Sequence, residues 1–223
     1  MCGRFTLAAD NETLAEAFPG VNIPESLAPR YNIAPTQPIG VVRNIVPNTA
    51  ELLHWGLIPH WAKDPNIGSK MINARAESLA EKPSFRESFR KRRCLVLADG
   101  FYEWKKVPAS NIKIPMYIKL KSGRPFAFAG LWDTWGSGDE EIRSCTIITT
   151  SSNELVASIH DRMPIILLPS DYLAWIDSKE TSPESLQGLL TPYPSEEMIA
   201  YQVSYKVNDQ KVESRDCLSP VSS

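Results

Sequence analysis

The side chains that most often build metal and redox sites are scarce in this sequence and lie far apart along it. Four cysteines stand at positions 2, 94, 145 and 217, and three histidines occur among the 223 residues. No two cysteines have the CxxC spacing of a zinc or dithiol site, and the histidines do not complete such a set. The sequence therefore gives no reason to expect a metal or an organic cofactor.

Long apolar runs are missing as well. No uninterrupted apolar segment approaches the roughly 18–20 residues that a membrane helix needs. The amino terminus begins polar, without the basic-then-apolar order of a signal peptide. No glycine- and serine-rich linker separates two halves of the chain, and no heptad repeat predicts a coiled coil. We therefore expect one domain that is monomeric, cytoplasmic and not bound to a membrane.

A strong excess of charge of either sign is also absent, since the formal net charge is −2 with 22% charged residues. Proteins that coat nucleic acid without specificity are usually basic overall, so that class is disfavoured, whereas a local basic groove is not. The segment 86–93, RESFRKRR, carries five basic residues and one acidic residue. Such a run is more often a solvated helix face than a binding surface, and both interpretations stay open.

The composition that remains is typical of a globular protein, with 43% hydrophobic residues. Apolar strands are predicted at 39–45, 51–58, 94–106, 115–120, 125–132 and 144–150. The turn KSGR at 121–124 predicts a hairpin between two of these strands, and NARAESLAEKPSF, 73–85, predicts a helix that breaks before Pro83. We expect an α+β fold with a mostly antiparallel, curled sheet. The domain is expected at 1–209 and a polar tail at 210–223.

Cys2 differs from the other cysteines because removal of Met1 would place an amine and a thiol on one terminal residue. Their reference pKa values, about 7.7–8.0 and about 8.5, leave some neutral amine and some thiolate near neutral pH. With an aldehyde, the amine forms a Schiff base and the sulfur then closes onto the same carbon as a thiazolidine. The second step is intramolecular and gains from proximity. A lone cysteine at this position is usually incidental, so the other residues of the chain must decide whether Cys2 has a chemical role.

Three other polar residues stand in apolar or aromatic segments, namely Asn73 in MINARAES, Glu103 in DGFYEWKK and His160 in SIHDRMP. A carboxylate that faces an apolar interior could exchange a proton near pH 7. The same side chain could instead face solvent beside Lys105. Asn73 could cap a turn, and His160 could end a helix beside Asp161.

Six segments in this order, MCGRF, RYNIAPTQ, HWGLIPHWA, MINARAES, RCLVLADGFYEWKK and SIHDRMP, resemble the SOS response-associated peptidase (SRAP) family. Its members are also called abasic-site processing proteins. The resemblance runs from residue 2 to about residue 209. It implies a single SRAP-like α+β domain with a mostly antiparallel, barrel-like curled sheet and peripheral helices. It also implies a positively charged groove for single-stranded DNA that contains abasic sites. It further implies a DNA–protein crosslink between the terminal cysteine and the ring-opened aldehyde of an abasic deoxyribose, in the DNA damage response.

The resemblance also implies roles for single residues. Cys2 is the nucleophile, Asn73 orients the amino terminus and its adduct, Glu103 assists proton transfers, and His160 contacts the ring-opened sugar. The implied DNA contacts are the phosphate-binding Arg4, Asn32, Arg75 and Arg162, together with Thr149 and the stacking wedge Trp61. Relatives can have two adjacent aromatic residues at the wedge, so preference for a junction with duplex DNA stays open. A half-buried surface tryptophan is the alternative for Trp61.

Two other functions stay open beside lyase-like Schiff-base chemistry. The first is a cysteine peptidase, a hydrolase that acts mainly on its own amino terminus. His160 could serve as its base, but nothing in the sequence identifies an oxyanion hole. The second is a passive single-strand binder, whose binding would be reversible and sensitive to salt. When bound to DNA, the protein is expected at the nucleoid.

Overall fold

The computed structural model describes residues 2–221, in which strands predominate over helices. The strands are β1 (Phe5–Leu7), β2 (Arg30–Ile33), β3 (Pro38–Arg43), β4 (Ala50–Trp55), β5 (Asn73–Arg75), β6 (Arg93–Ala98), β7 (Gly100–Lys106), β8 (Lys113–Leu120), β9 (Phe126–Trp135), β10 (Ile142–Ser151), β11 (Arg162–Pro164) and β12 (Met198–Gln202). The α-helices are α1 (Asn11–Ala17), α2 (Arg86–Lys91), α3 (Glu154–Ala157), α4 (Tyr172–Ile176) and α5 (Pro183–Gly188).

Five of the strands close into a barrel in the order β10–β4–β3–β6–β9, because β9 also pairs with β10. The β4–β10 pairing is parallel, and the other pairings of the ring are antiparallel. Beside β10 lie β5, parallel, and β11, antiparallel. Closure satisfies the backbone hydrogen bonds of strands that would otherwise be edges. The predicted α+β fold with a mostly antiparallel, barrel-like curled sheet is confirmed.

A second sheet, in the order β12–β8–β7–β1–β2, packs against this barrel. Phe5 of β1 joins the two layers, since its ring meets Trp55 and Phe128 edge-on at centroid distances of 5.1 and 5.7 Å. All three side chains are buried. Such aromatic contacts favour one orientation beyond the burial of apolar area alone. The amino-terminal strand is therefore anchored in the core only three residues after Cys2.

The predicted hairpin at 121–124 is wrong. β8 pairs with β7 and β12, whereas β9 pairs with β6 and β10, so the chain passes from one sheet to the other at this turn. Gly123 does adopt a turn conformation, with φ +70°. Turn residues specify a local change of direction, but the pairing of the flanking strands depends on distant partners.

The helix predicted to start at Asn73 is also wrong. The segment Asn73–Arg75 is strand β5, and a short 3-10 helix, Ala76–Ser78, follows it. Pairing with β10, where Ile147 opposes Asn73, overrides the helical preference of this alanine-rich segment. The strand geometry matters for the site because it brings Asn73 to the edge of the barrel.

The segment predicted as a polar tail is packed onto the sheet as far as the described residues extend. Its 3-10 helix, Arg215–Leu218, carries a fully buried Cys217, which packs in a cluster with Tyr102, Tyr117, Val203 and Val207. Glu213 accepts hydrogen bonds from the backbone N–H groups of Tyr31 and Asn32. The segment therefore covers the outer face of the sheet that holds β1.

Gly56, which follows β4, offers a test of how closely the backbone packs against Gly68. Its φ is +141°, and an added Cβ would lie 2.5 Å from the carbonyl oxygen of Gly68. Gly56→Ala should lower the free energy of unfolding by about 3 kcal/mol, because a backbone contact cannot move aside as a flexible side chain can. Urea unfolding measures this. Gly123→Ala, with positive φ but open space, should cost only about 1 kcal/mol. Equal losses would contradict the close approach.

Candidate active site

Cys2 is fully buried where the amino terminus runs beside β7. Phe5 opposes Phe101, and the Tyr102 N–H donates to the Arg4 carbonyl oxygen at 2.9 Å. Continuing this antiparallel register brings Glu103 alongside the first residues of the chain. Glu103 is only 3% exposed, so its carboxylate faces the interior and not the solvent beside Lys105.

The surroundings of Cys2 control the protonation of its thiol. Burial raises the pKa of this thiol well above its ordinary value, and the negative charge of Glu103 raises it further. The sulfur is therefore protonated at neutral pH and must lose its proton before or during any attack on carbon. Met1 lies outside the described residues, so its removal stays a prediction.

Asn73 fixes the backbone of Cys2 from the barrel side. Its Nδ2 donates a hydrogen bond to the Cys2 carbonyl oxygen at 2.7 Å. Its Oδ1 is buried and accepts no hydrogen bond from any residue in the range 2–221. The side chain therefore holds the backbone of Cys2 in place and keeps one buried acceptor for a further donor.

His160 follows helix α3 and lines the same groove as Glu103, with a volume of about 990 Å³. Its Nδ1 accepts the Arg162 backbone N–H at 3.0 Å, and Asp161 Oδ1 lies 2.8 Å from the same nitrogen. The Arg162 N–H calls for a lone pair on Nδ1, whereas the Asp161 carboxylate calls for a proton there, so these contacts do not fix the tautomer of the ring. His160 therefore ends a helix beside Asp161 and also lines the groove, so both interpretations of this residue fit the same arrangement.

Arg4, which is half-buried, and the buried Asn32 form one hydrogen-bonded unit beside this groove. Arg4 Nη1 donates to Asn32 Oδ1 and to the Val207 carbonyl oxygen, both at 2.7 Å. The guanidinium carbon of Arg4 also lies 5.9 Å from the ring centroid of Trp104. Asn32 is fully buried, and its Nδ2 donates to the carbonyl oxygen of Asp209. Asn32 therefore acts on the site through Arg4, and a DNA contact of its own stays a prediction.

Arg162, Thr149 and Arg75 lie together where β5, β10 and β11 meet. The Arg162 guanidinium donates to both carboxylate oxygens of Glu77, at 2.6 and 2.9 Å, and to the Thr149 carbonyl oxygen at 2.6 Å. Arg75 opposes Thr149 in the strand register and is exposed. No pattern in the sequence singles out Glu77, although it shares the segment MINARAES with two predicted site residues.

Trp61 lies outside the groove of Glu103 and His160. Its side chain is 52% exposed, and it lines a separate groove of about 590 Å³ with Lys63 and Lys70 among its neighbours. An exposed indole beside two lysines suits stacking on a base. The exposure of Trp61 equally fits the alternative, a half-buried tryptophan on the surface.

The basic segment 86–93 is divided between surface and core. Arg93 is fully buried, and its guanidinium donates to five backbone carbonyl oxygens, those of Phe89, Arg90, Trp175, Asp177 and Glu180. Arg92 lies 3.2 Å from the Asp133 carboxylate. The exposed basic residues of this segment are Arg86, Arg90 and Lys91 on α2. Arg93 therefore stabilises the fold and is withdrawn from any DNA surface.

The chemistry that this arrangement offers is proton transfer and nucleophilic addition. A thiol, a carboxylate and an imidazole are supplied by Cys2, Glu103 and His160, and an amide holds the thiol residue. Within residues 2–221, no three His, Cys, Asp or Glu side chains cluster closely enough to hold a metal ion. In the same range, no helix has the length and apolar character that a membrane crossing requires.

Comparison with known proteins links this site to one family. A family model described as SOS response associated peptidase (SRAP) matches residues 1–210. The abasic site processing protein YoqW of Bacillus subtilis (strain 168) is 48% identical over 225 residues, which cover 98% of this chain and 99% of that relative. The abasic site processing protein HMCES of Pongo abelii is 30% identical, with 99% of this chain and 76% of the relative covered.

Solved structures show the same fold. A crystal structure of a protein from Bacteroides thetaiotaomicron aligns with a TM-score of 0.83 at 30% identity and covers 92% of this chain and 93% of that one. A crystal structure of a protein from Bordetella bronchiseptica aligns with a TM-score of 0.78 at 24% identity and covers 91% of this chain and 100% of its own. Fold and sequence relationships therefore agree over nearly the whole chain.

The Glu77–Arg162 pair predicts a pH effect. Hydrogen bonds from Arg162 lower the pKa of the Glu77 carboxyl below its ordinary value. The pair therefore stabilises the fold above the unfolded-state pKa of Glu77, and this contribution is lost as the pH falls through the folded-state value. Because Glu77 is exposed, Glu77→Gln should cost less than about 1 kcal/mol at pH 7 and nothing at an acid pH below the folded-state pKa.

Urea unfolding of wild type and Glu77→Gln at both pH values measures this difference. Glu81→Gln is the matched control, because it removes an exposed carboxylate from the same segment and should change stability equally little at either pH. A Glu77→Gln loss that persists undiminished in acid would show that the ion pair is not its cause.

Proposed function

The chain belongs to the SOS response associated peptidase (SRAP) family, and from that premise we propose that it captures abasic sites in single-stranded DNA through a covalent bond to Cys2. Relatives along the full chain are named abasic site processing proteins. The observation that carries the proposal is a buried Cys2 whose carbonyl oxygen is held by Asn73 at 2.7 Å, and whose thiol pKa is raised by burial and further by Glu103.

The reaction begins once Met1 has been removed and the Cys2 amine is free. The amine adds to the aldehyde carbon of the ring-opened deoxyribose, and the carbinolamine loses one water to give a Schiff base. The Cys2 sulfur then adds to the imine carbon, and the thiol proton is transferred to the nitrogen. The product is a five-membered thiazolidine ring, and one water is the sole by-product. Because both nucleophiles belong to one residue, the second step is intramolecular.

The raised pKa of the Cys2 thiol sets the order of these steps. A protonated sulfur is a poor nucleophile, so the amine reacts first and the sulfur follows when the imine nitrogen can accept a proton. Glu103 lies close enough to influence that thiol electrostatically, and it can carry protons to and from the sugar and the carbinolamine. His160 lines the same groove, and its imidazole can form a hydrogen bond with the sugar hydroxyl that ring opening releases.

Self-processing is a second candidate function, which the family description favours. The Cys2 sulfur would add to the Met1 carbonyl carbon and expel the Cys2 amine, and water would then release the methionine. This reaction uses the same thiol and the same proton carriers as the capture of an aldehyde. It therefore prepares the site for crosslinking and does not compete with it.

The crosslink itself is tested with untagged protein and a single-stranded oligonucleotide that carries one abasic site. On a denaturing gel, wild type should give a slowly migrating band that undamaged DNA does not give. Cys2→Ser keeps the amine but lacks the thiol, so its adduct should survive only after borohydride reduction. Cys217→Ser, which changes another buried cysteine, should crosslink like wild type.

Intact masses of all three proteins establish whether Met1 has been removed. A band of equal strength from unreduced Cys2→Ser would contradict thiazolidine formation, and no band from wild type that lacks Met1 would contradict the proposed function.

Glu103→Gln tests the proton carrier, because it keeps the size of the side chain and removes its ability to exchange a proton. General acid–base catalysis commonly contributes at least about 10²-fold. We therefore expect crosslink formation and its reversal to slow by about that factor, since one group serves both directions. Time courses on denaturing gels measure formation, and release of labelled DNA measures reversal. An unchanged rate in either direction would remove Glu103 from this role, provided that the unfolding midpoint is unaltered.

A further inference from the structure

The groove that holds Glu103 and His160 is larger than an abasic sugar requires. Its volume of about 990 Å³ extends from these two residues past Trp104 to the β7–β8 hairpin and the 3-10 helix Tyr205–Asn208. Sites for drug-sized ligands occupy roughly 300–1,000 Å³. The groove therefore has space for more than the reacting sugar, and that space is continuous with the reacting groups.

One wall of this space is rigidly held. The Val207 carbonyl oxygen accepts a hydrogen bond from Arg4 at 2.7 Å, and Asn208 Oδ1 accepts one from Trp104 Nε1 at 2.8 Å. Val207 itself is fully buried. Tyr205, two residues earlier, leaves 48% of its surface exposed toward solvent and lines the groove. An exposed aromatic ring on a fixed backbone is a platform on which a flat ligand can stack without a large loss of conformational entropy.

The far end of the groove is positively charged. Lys106 and Lys113 are direct partners across the β7–β8 hairpin, and both are exposed and line the groove. Like charges that face each other across a sheet are destabilising. Within residues 2–221, neither lysine forms a salt bridge. This cationic pair is therefore complementary to an anion that enters the groove.

We propose that this part of the groove, formed by Trp104, Tyr205, Lys106 and Lys113, binds the nucleotides on one side of the abasic site. A base stacks on Tyr205, and the phosphates that follow it meet the two lysines. Aromatic stacking combined with a cationic track is how proteins hold single strands without reading their sequence. The inference rests on the proposed function, because it assumes that the abasic site of the DNA strand lies at Cys2 and Glu103.

Trp61 lies in a different groove from Tyr205, which supports a DNA strand that leaves the site in two directions. Trp61 lines another groove, with Lys63 and Lys70, whereas Tyr205 lies beside Glu103 and His160. A strand that passes through the site has one arm on each side of the lesion, and the Tyr205 groove accommodates one of them. Loss of Tyr205 should therefore affect one arm selectively.

The test uses two oligonucleotides that contain a tetrahydrofuran abasic analogue, which has no aldehyde and so reports binding without crosslinking. One carries the analogue at its 5′ end, so all its nucleotides lie on the 3′ side, and the other has the reverse arrangement. Fluorescence anisotropy gives the Kd of each. Tyr205→Ala should weaken binding of one oligonucleotide by about tenfold and leave the other unchanged. Tyr205→Phe, which keeps the ring, should bind both like wild type.

The lysines are tested with the double variant Lys106→Gln and Lys113→Gln. The measurement uses the oligonucleotide whose binding is weakened by Tyr205→Ala. For this oligonucleotide, the double variant should reduce the salt dependence of Kd by a slope of about 0.7 for each phosphate that a lysine no longer neutralises. Lys121→Gln with Lys179→Gln is the control, because it removes the same charge from exposed positions outside this groove.

The possible outcomes separate this inference from the proposed function. Unchanged affinity in Tyr205→Ala, or an equal loss for both oligonucleotides, would overturn the assignment of one arm to this groove. In that case wild type and Tyr205→Ala would still crosslink to an oligonucleotide with an aldehyde, so capture by Cys2 would stand. If wild type bound neither analogue oligonucleotide and formed no crosslink, both the proposed function and this inference would fail.

Discussion

The burial of Phe5 between the barrel and the five-stranded sheet is the constraint on which the site depends. With its ring against Trp55 and Phe128, β1 has one register beside β7, and Phe5 opposes Phe101. A slip by one residue would turn every side chain of the strand to the other face. The same register brings Glu103 alongside Cys2, so core packing, more than any contact of the thiol itself, sets the geometry of the reacting groups.

Burial of the nucleophile has a chemical consequence as well as a structural one. A solvated cysteine would present a fraction of thiolate to any electrophile near neutral pH, whereas Cys2 is held as a neutral thiol beside a carboxylate. Such a thiol reacts when a neighbouring atom accepts its proton, and an imine nitrogen formed on the same residue is well placed to do so. Under the proposed function, the site would therefore favour an aldehyde, which the amine can capture first, over other electrophiles that require a thiolate at once.

The sequence permitted prediction of a mostly antiparallel, curled sheet, because apolar strand patterns without regular βαβ alternation are local signals, whereas its barrel-like form was implied by the family resemblance. It also singled out Cys2, Asn73, Glu103 and His160 as candidate site residues, and the structure brings them together through contacts with Cys2 or a shared groove. The hairpin at 121–124 and the helix from Asn73 failed because strand pairing with distant partners decided both segments. Glu77 was missed since no local pattern reveals that its partner, Arg162, lies 85 residues away.

The carboxyl-terminal segment shows why local polarity is a poor guide to structural importance. The family match ends at residue 210, yet Glu213 binds the backbone of Tyr31 and Asn32 and pairs with Arg30. Asn32 in turn holds Arg4, which donates to Val207 at the wall of the groove. A polar residue beyond the matched region therefore supports the wall through a chain of hydrogen bonds. Because buried polar groups in such a chain depend on one another, loss of one end should loosen the other.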